Sequence, residues 1–287
     1  MEATPGGAPI VGSGVDSEKI YDSSVRPPAF LDEFVQLLQY RSLIAELIAR
    51  DIKTRYKRSV LGVAWTLLHP LATMLVMAFV FQALFQRTVE HYTVYLLSAL
   101  LVWQFFSTTT THAVNQLVWG GALLHRIYLP KSVFAVSSAG TGLVNLLLSL
   151  IPLGVVMALT GAPLRPAILE LPFAILLLAM FSLGVSLMVS RLGVYYVDVL
   201  DMYSIVLTMW MYLTPIFYPV SILPETFQQV LKLNPMYYLV EIFRAPVYAG
   251  VGAPLATWAV AAVVAVGALI VGWWIFTQQA DEYAYRV

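Results

Sequence analysis

Residues 255–276 read LATWAVAAVVAVGALIVGWWIF, an apolar run without a charged side chain. A helix that crosses a membrane needs about 20 predominantly apolar residues, because the hydrocarbon core is about 30 Å thick and each helical residue rises about 1.5 Å. The stretch meets both requirements. It therefore predicts a membrane-spanning helix.

The composition of the whole chain agrees with a membrane protein. Of its 287 residues, 60% are hydrophobic and 11% are charged, and the mean hydropathy is +0.79, whereas a soluble domain has about 25% charged residues. The absence of cysteine excludes a disulfide scaffold. The 16 basic residues are balanced by 16 acidic ones, so the positive excess needed for binding nucleic acid is missing. The four histidines lack metal-ligand spacing, and we expect no metal site.

Six stretches have the length and character of spans, which predicts an all-α membrane protein with six transmembrane helices. Their approximate bounds are 61–85, 93–111, 133–160, 167–190, 199–218 and 255–276. An even number leaves both termini on one side. If that side is the cytoplasm, only four of the 16 lysines and arginines lie outside, as the positive-inside rule requires. We expect residues 1–30, rich in Gly, Pro, Ala and Ser, to form a flexible cytoplasmic tail, and residues 31–287 to form the transmembrane domain.

The segment 31–53, just before the first span, has the pattern of an amphipathic helix. Apolar residues recur at helical spacing from Leu31 to Ile48, with charged residues between them. Such a helix lies along the bilayer surface, and it could also serve as a docking surface for another protein. The basic residues that follow suit anionic lipid headgroups; they are Lys53, Arg55, Lys57 and Arg58.

The segment 219–250 is too apolar for a solvated loop and too rich in proline for one continuous helix. Its prolines predict two short helices, at 224–233 and 235–248, separated at Asn234-Pro235. Apolar helices too short to span a membrane are typical of re-entrant or interfacial segments. They indicate the mouth of a pathway on the outer side.

Two absences bear on the source of energy. The chain has no G-x-x-x-x-G-K-[ST] loop, so we expect it not to bind ATP phosphates itself. No charged residue lies in the middle of a predicted span, which argues against coupling to protons or sodium. A transporter of this kind would need another energy source.

Three motifs resemble those of one transporter family. Residues 47–65, LIARDIKTRYKRSVLGVAW, followed by His69-Pro70, are similar to the segment that leads into the first span of the type 2 ABC-exporter permeases for bacterial polysaccharides. That family includes the O-antigen, capsule and teichoic acid exporters. Residues 213–219, LTPIFYP, and 233–244, LNPMYYLVEIFR, resemble two further signatures of it. The resemblance extends from about residue 34 to the C-terminus.

The resemblance implies a permease subunit without enzymatic activity, located in the bacterial inner membrane. Two copies would form a pathway for a lipid-linked polysaccharide, and two separate ATPase subunits would bind ATP and Mg²⁺. This chain would carry no cofactor. The cytoplasmic contacts implied are the N-terminal helix, the loop around Leu123, Leu124, His125 and Arg126, and Arg191. The alternative for that loop is an ordinary connection that follows the positive-inside rule.

Aromatic residues recur at every seventh position near the fifth predicted span: Tyr196, Tyr203, Trp210 and Phe217. Seven residues are close to two helical turns, so all four would share one stripe with Thr214. Aromatic faces stack on sugar rings, and such a stripe would let a glycan slide. The alternative is packing against a neighbouring helix. Further pathway candidates are Trp65, His69 and Phe81 on the first span, where Pro70 predicts a kink.

Two other functions compete with polysaccharide export. One is a type 2 exporter of drugs or small lipids. The other is a membrane-embedded transferase, which would need carboxylates or histidines clustered near one membrane face. Only Asp198 and Asp201 approach that arrangement, and the sequence favours their pairing with Arg191 instead.

Overall fold

The computed structural model describes residues 29–57, 64–85, 89–119 and 130–278. Within these ranges the chain forms helices and no strand. In chain order they are α1 (Ala29–Gln39), α2 (Arg41–Tyr56), α3 (Ala64–Phe85), α4 (Tyr92–Trp119), α5 (Ser132–Thr160), α6 (Leu171–Tyr195), α7 (Val199–Leu213), α8 (Glu225–Leu231), α9 (Pro235–Arg244) and α10 (Leu255–Thr277). Residues 1–28, most of the predicted tail, lie outside the described residues.

Three segments combine the length and apolar character needed to cross a membrane: Ser132–Thr160, Pro166–Tyr195 and Leu255–Thr277. They correspond to the third, fourth and sixth predicted spans. The fifth, α7, is apolar but has only 15 residues, which gives a length of about 22 Å. That six helices cross the membrane stays a prediction.

The helix α4 lies at the centre of the bundle, in contact with α3, α5, α6, α7 and α9. It extends to Trp119, beyond the predicted end at 111. Its hydroxyl residues do not interrupt it, and two of them bond to carbonyls one turn earlier. Thr108 Oγ1 donates to the Gln104 carbonyl at 2.6 Å, and Thr110 Oγ1 donates to the Phe106 carbonyl at 2.9 Å.

The helices α6 and α10 approach one another closely at two glycines. A Cβ atom added to Gly272 would lie 2.2 Å from the Gly184 carbonyl oxygen, and one added to Gly184 would lie 2.3 Å from the carbonyl oxygen of Ala268. Both distances are too short for any side chain. The two backbones therefore touch directly, as is common between helices that pack in membranes.

The N-terminal amphipathic segment is not the single helix that the pattern predicts. It is divided into α1 and α2 at Tyr40, whose φ of −88° and ψ of 18° are not helical. Separate contacts account for the division. In α1, Phe30 and Phe34 have ring centroids 6.2 Å from that of Trp273 on α10. In α2, Ile48 fills the space beside Gly140 on α5.

Prolines shape the segment after α7. This helix ends at Leu213 because Thr214 precedes Pro215, and a residue before proline favours extended backbone; Thr214 has φ −98° and ψ 135°. The helix therefore ends five residues before the predicted end of the span at 218. The two short helices are present as α8 and α9, and α9 is followed by a π-helical turn, Ala245–Ala249. Most of α9 is buried, whereas α8 is largely exposed.

Candidate functional site

The aromatic residues at every seventh position do not share one helix, so the predicted common stripe is wrong. Only Tyr203 and Trp210 lie on α7. Tyr196 follows the end of α6 with an extended backbone, φ −137° and ψ 108°, and its side chain is 66% exposed. Phe217 lies beyond the proline break that ends α7. The spacing predicts a stripe only for a helix that continues through all four positions.

Tyr203 faces the interior of the chain. Its hydroxyl donates to Thr110 Oγ1 on α4 at 2.7 Å, and the side chain is buried. A tyrosine in apolar surroundings needs a partner for its hydroxyl group. This contact supplies it from the neighbouring helix.

Trp210 is held among three aromatic rings of α4 and α6. Its centroid lies 5.1 Å from that of Phe106, 6.3 Å from Trp103 and 6.4 Å from Phe181, all edge-on. Its indole N–H donates to Asn234 Oδ1 at 2.8 Å. The contacts of Tyr203 and Trp210 within the chain favour the packing alternative for this face of α7.

Residues 214–219, which we name the break segment, connect α7 to the short helices without being helical. Backbone carbonyls released in this way need other donors, because unsatisfied polar groups are costly away from water. Side chains from two other regions of the chain supply them. The break segment is therefore the point where the second and third sequence motifs meet.

Asn234 makes four hydrogen bonds at the start of α9. Its Oδ1 accepts from the backbone N–H of Met236 at 3.0 Å, which caps the helix, and from Trp210. Its Nδ2 donates to the Leu213 carbonyl at 3.2 Å and to Thr214 Oγ1 at 3.0 Å. The Thr214 hydroxyl in turn donates to the Trp210 carbonyl at 2.8 Å. One side chain thus joins the end of α7 to the start of α9.

Arg244, at the other end of α9, is buried with 4% exposure. Its Nη2 donates to the Pro215 carbonyl at 2.8 Å, and its guanidinium carbon lies 3.8 Å from the centroid of the Tyr95 ring. No carboxylate in the described part of the chain forms an ion pair with it. The cation is stabilised by a backbone oxygen and an aromatic face.

Two tyrosines on α4 bind the rest of the break segment. The Tyr92 hydroxyl donates to the Phe217 carbonyl at 2.7 Å, and the Tyr95 hydroxyl donates to the Tyr218 carbonyl at 2.9 Å. Phe217 also packs on Phe81 of α3, with centroids 6.2 Å apart. The break segment is thus attached to α3, α4 and α9.

Some of the remaining predicted site residues are on other described helices. Trp65 is 58% exposed on α3, and His69 is on the same helix. The predicted coupling residues 123–126 lie outside the described residues, as does Arg58; Arg55 is on α2. Lys53 and Lys57 are exposed at the end of α2.

Arg191 bonds differently from the ion pair that the sequence favours. It lies in the last turns of α6, and its Nη1 donates to the Ile275 carbonyl of α10. Asp198 and Asp201 are exposed and form no ion pair with a described residue. Within the described residues, Arg191 thus bonds to a backbone acceptor on the adjacent helix and to neither aspartate, so the predicted pairing is wrong.

Glu33 joins α1 to the start of α5, a role that the sequence pattern does not indicate. Its Oε1 accepts from the backbone N–H of Ser132 at 3.1 Å and from the Ser132 hydroxyl at 2.7 Å. Burial raises the pKa of the Glu33 carboxyl above 4.5, although the bonds from Ser132 and the charge of Lys131 oppose that change. The partner is 99 residues away, and no local pattern indicates it.

A second missed cluster joins α2 to α4 and α5. Gln116 Nε2 donates to Asp51 Oδ2 at 2.6 Å, and Asp51 also pairs with Arg50 at 3.1 Å. On α4, His112 Nδ1 is 3.1 Å from Ser138 Oγ of α5. Asp51 belongs to the first motif, so this motif also binds other helices through a polar side chain.

The family model for ABC-2 type transporters matches residues 42–248, from α2 to the turn after α9. The chain belongs to the ABC-2 type transporter family. The match includes the break segment and both motifs that meet there.

Curated relatives cover most of this ABC-2 transporter. It is 30% identical to the O-antigen export system permease protein RfbA of Myxococcus xanthus over 216 residues, 74% of this chain and 83% of the relative. It is 26% identical to the capsule polysaccharide export inner-membrane protein CtrC of Neisseria meningitidis, over 73% of this chain and 80% of the relative. It is 23% identical to the polysialic acid transport protein KpsM of Escherichia coli, over 72% of this chain and 81% of the relative.

Proposed function

We propose that this chain is the permease subunit of an ATP-driven exporter that moves a lipid-linked polysaccharide across the bacterial inner membrane. The observation that carries the proposal is the family match over residues 42–248, together with relatives named for O-antigen and capsule export. Those relatives are matched over about four fifths of their length. The proposal therefore concerns the whole permease rather than one motif.

The energy would come from separate ATPase subunits, because the sequence has no phosphate-binding loop. We propose two copies of this chain with two ATP-binding-cassette subunits, which hold ATP and Mg²⁺. The loop at residues 123–126 and the cytoplasmic end of α6 near Arg191 would contact them. Glu33 supports this arrangement, because it ties α1 to the start of α5, only a few residues after that loop.

The membrane topology proposed has six crossings with both termini in the cytoplasm. The helices α1 and α2 would lie at the cytoplasmic interface, where the exposed Lys53 and Lys57 would meet anionic headgroups. At the other face, α8 would be interfacial and α9 re-entrant, since α9 is buried and has only ten residues. The break segment would complete the fifth crossing that α7 is too short to make alone.

The pathway is proposed between two copies, along the exposed face of α7. This face carries hydroxyl groups among apolar residues: Ser204, Thr208 and Tyr212 are exposed there beside Met209. Ser204 and Thr208 donate to carbonyls of their own helix, at 2.7 and 3.0 Å, and their oxygens can still accept from sugar hydroxyl groups.

The predicted pathway residues whose side chains the structure describes are either exposed or packed inside the chain. Trp65 and Tyr196 are exposed and would contact the glycan directly. The others would hold α7 in position from within the chain; they are Tyr203, Trp210, Thr214, Phe217 and Phe81.

The test is an export assay in the bacterium that carries the gene. Deletion should abolish the surface polysaccharide and leave its lipid-linked form in the cytoplasm, and a plasmid copy should restore export. The chain should co-purify with the ATPase encoded beside it, and it should hydrolyse no ATP alone. Normal surface polysaccharide after deletion, with loss of efflux of a drug or small lipid, would favour the alternative exporter.

A further inference from the structure

A crevice of about 370 Å³ lies between α6 and α10 at the face where the break segment lies. Its lining is apolar except for one carboxyl group; the residues are Glu170, Phe173, Leu176, Leu177 and Trp258. Phe173 and Leu176 are 65% and 57% exposed, so the crevice opens toward the surroundings of the bundle. From residue 170 to residue 177 it runs about 10 Å along the helix.

Glu170 stands at the end of this crevice with an unsatisfied carboxylate. Its Oε2 is excluded from water and has no hydrogen-bond partner in the described part of the chain. Its Oε1 lies beside Gly252, where an added Cβ atom would be 2.3 Å away. Arg165 directly precedes the 3-10 helical turn Pro166–Glu170, and it does not pair with Glu170. A buried carboxylate oxygen without a donor is costly, so a ligand that donates to this carboxyl group would be stabilising.

We propose that the crevice binds a phospholipid whose headgroup carries a primary ammonium group. One acyl chain would lie along Phe173, Leu177 and Trp258, and the ammonium would donate to Glu170. The proposal needs α6 and α10 to lie in a membrane, and it is independent of the substrate exported.

Charge and hydrogen bonding select this headgroup. An ammonium has three N–H donors and the opposite charge to the carboxylate. A glycerol headgroup leaves the lipid with a net negative charge, which the carboxylate repels. A trimethylated choline headgroup has the positive charge but no N–H donor. A soluble amine would gain nothing from the apolar lining, whereas an acyl chain buries its methylene groups there.

The experiment reconstitutes the full transporter complex in nanodiscs that contain equal parts of phosphatidylethanolamine, phosphatidylglycerol and phosphatidylcholine. After extraction, native mass spectrometry counts the lipids that each complex retains. The wild-type protein should retain phosphatidylethanolamine about tenfold over the other two, the ratio expected for one charge-assisted hydrogen bond. Glu170→Gln should remove most of this preference, and the matched control Glu225→Gln, an exposed acid on α8, should keep it.

A second variant separates the position of the carboxylate from its charge. Gly252→Ala keeps Glu170 but pushes its Oε1 away, so it should weaken retention of phosphatidylethanolamine about as much as Glu170→Gln. Equal retention of the three lipids by the wild-type protein would overturn the proposal, even if a variant failed to fold. So would unchanged selectivity in a well-folded Glu170→Gln complex.

Discussion

The indole N–H of Trp210 donates to Oδ1 of Asn234 at 2.8 Å, although 24 residues separate them in the chain. Trp210 lies on α7 before the break segment, and Asn234 caps α9 after the first short helix. The bond fixes α7 and the start of α9 relative to one another. It also explains why an asparagine, which can accept and donate at once, stands in front of Pro235.

The bond between Trp210 and Asn234 predicts a measurable coupling. Trp210→Phe keeps an aromatic ring but removes the donor, and should cost about 1 kcal/mol of stability. Asn234→Ala also removes the helix cap and should cost about 1–2 kcal/mol. The double variant should cost less than the sum, because both changes break the same bond. Thermal unfolding of the purified complex measures this, with the exposed Trp274→Phe as the control. Additive losses would contradict the coupling.

Arg244 predicts a difference between two arginines at the same face. Arg244→Leu removes the bond to the Pro215 carbonyl and the contact with the Tyr95 ring, at a cost of about 1–3 kcal/mol after relief of the buried charge. Arg244→Lys should be intermediate, because an ammonium cannot both stack flat on the ring and reach the carbonyl. The exposed Arg165→Leu should leave the melting temperature unchanged. Equal melting temperatures for Arg244→Leu and Arg165→Leu would show that the cation has no role.

Much of the fold could be predicted because its determinants are local. Apolar runs locate the long helices, and each proline removes a donor at a known position. The two short helices therefore appear close to where the prolines predict them. Pro215 also indicates where the helix of the fifth predicted span ends. The residue before a proline avoids helical backbone, so a stripe extended to Phe217 conflicts with the sequence itself.

The contacts that hold the site together could not be predicted in the same way. From the sequence, Glu33 is one of several charged residues on the polar face of an amphipathic helix. Its partner Ser132 is 99 residues away. Arg244 reads as an outer-loop cation, yet it is buried against Tyr95. Each contact depends on how complete helices pack, and hydropathy and spacing within one segment contain no information about that.

The close approach of α6 and α10 predicts opposite effects for two glycines on one helix. Gly272→Ala would place a Cβ atom 2.2 Å from the Gly184 carbonyl oxygen and should destabilise the complex by about 1–3 kcal/mol. A Cβ atom added to Gly267 would have no atom of another described helix within 4 Å. Gly267→Ala should therefore be neutral or stabilise the helix by up to about 1 kcal/mol. Melting temperatures in one detergent compare them. A similar loss for both would mean that the two helices are not in backbone contact.

Glu33 predicts a pH dependence of stability. Burial raises the pKa of its carboxyl above the unfolded value, so the folded state binds the proton more tightly. The resulting stabilisation is complete below about pH 4.5 and is lost as the pH rises through the folded pKa. Glu33→Gln can still accept from Ser132 but does not titrate. The wild-type melting temperature should therefore fall relative to that of Glu33→Gln as the pH rises above about 4.5.

The comparison with Glu33→Gln cancels the titration of all other acids. Glu46→Gln, an exposed acid on α2, serves as the control and should track the wild-type protein at every pH. Glu33→Ala removes the acceptor as well and should cost about 0.5–2 kcal/mol over the whole range. A constant difference between the wild-type protein and Glu33→Gln across this range would show that the carboxyl is not perturbed in the folded state.

The two faces of α7 predict separable effects on stability and export. Tyr203 and Trp210 pack inside the chain, so the double variant Tyr203→Leu/Trp210→Leu should lower the melting temperature by leaving cavities. Thr208 and Tyr212 are exposed, so Thr208→Val/Tyr212→Leu should leave the melting temperature unchanged. It should slow export about twofold to tenfold, the scale of one lost stacking contact. Export is measured as surface polysaccharide per complex in the membrane. The reverse result, slow export with normal melting in the first double variant, would mean that the glycan runs along the face of Tyr203 and Trp210.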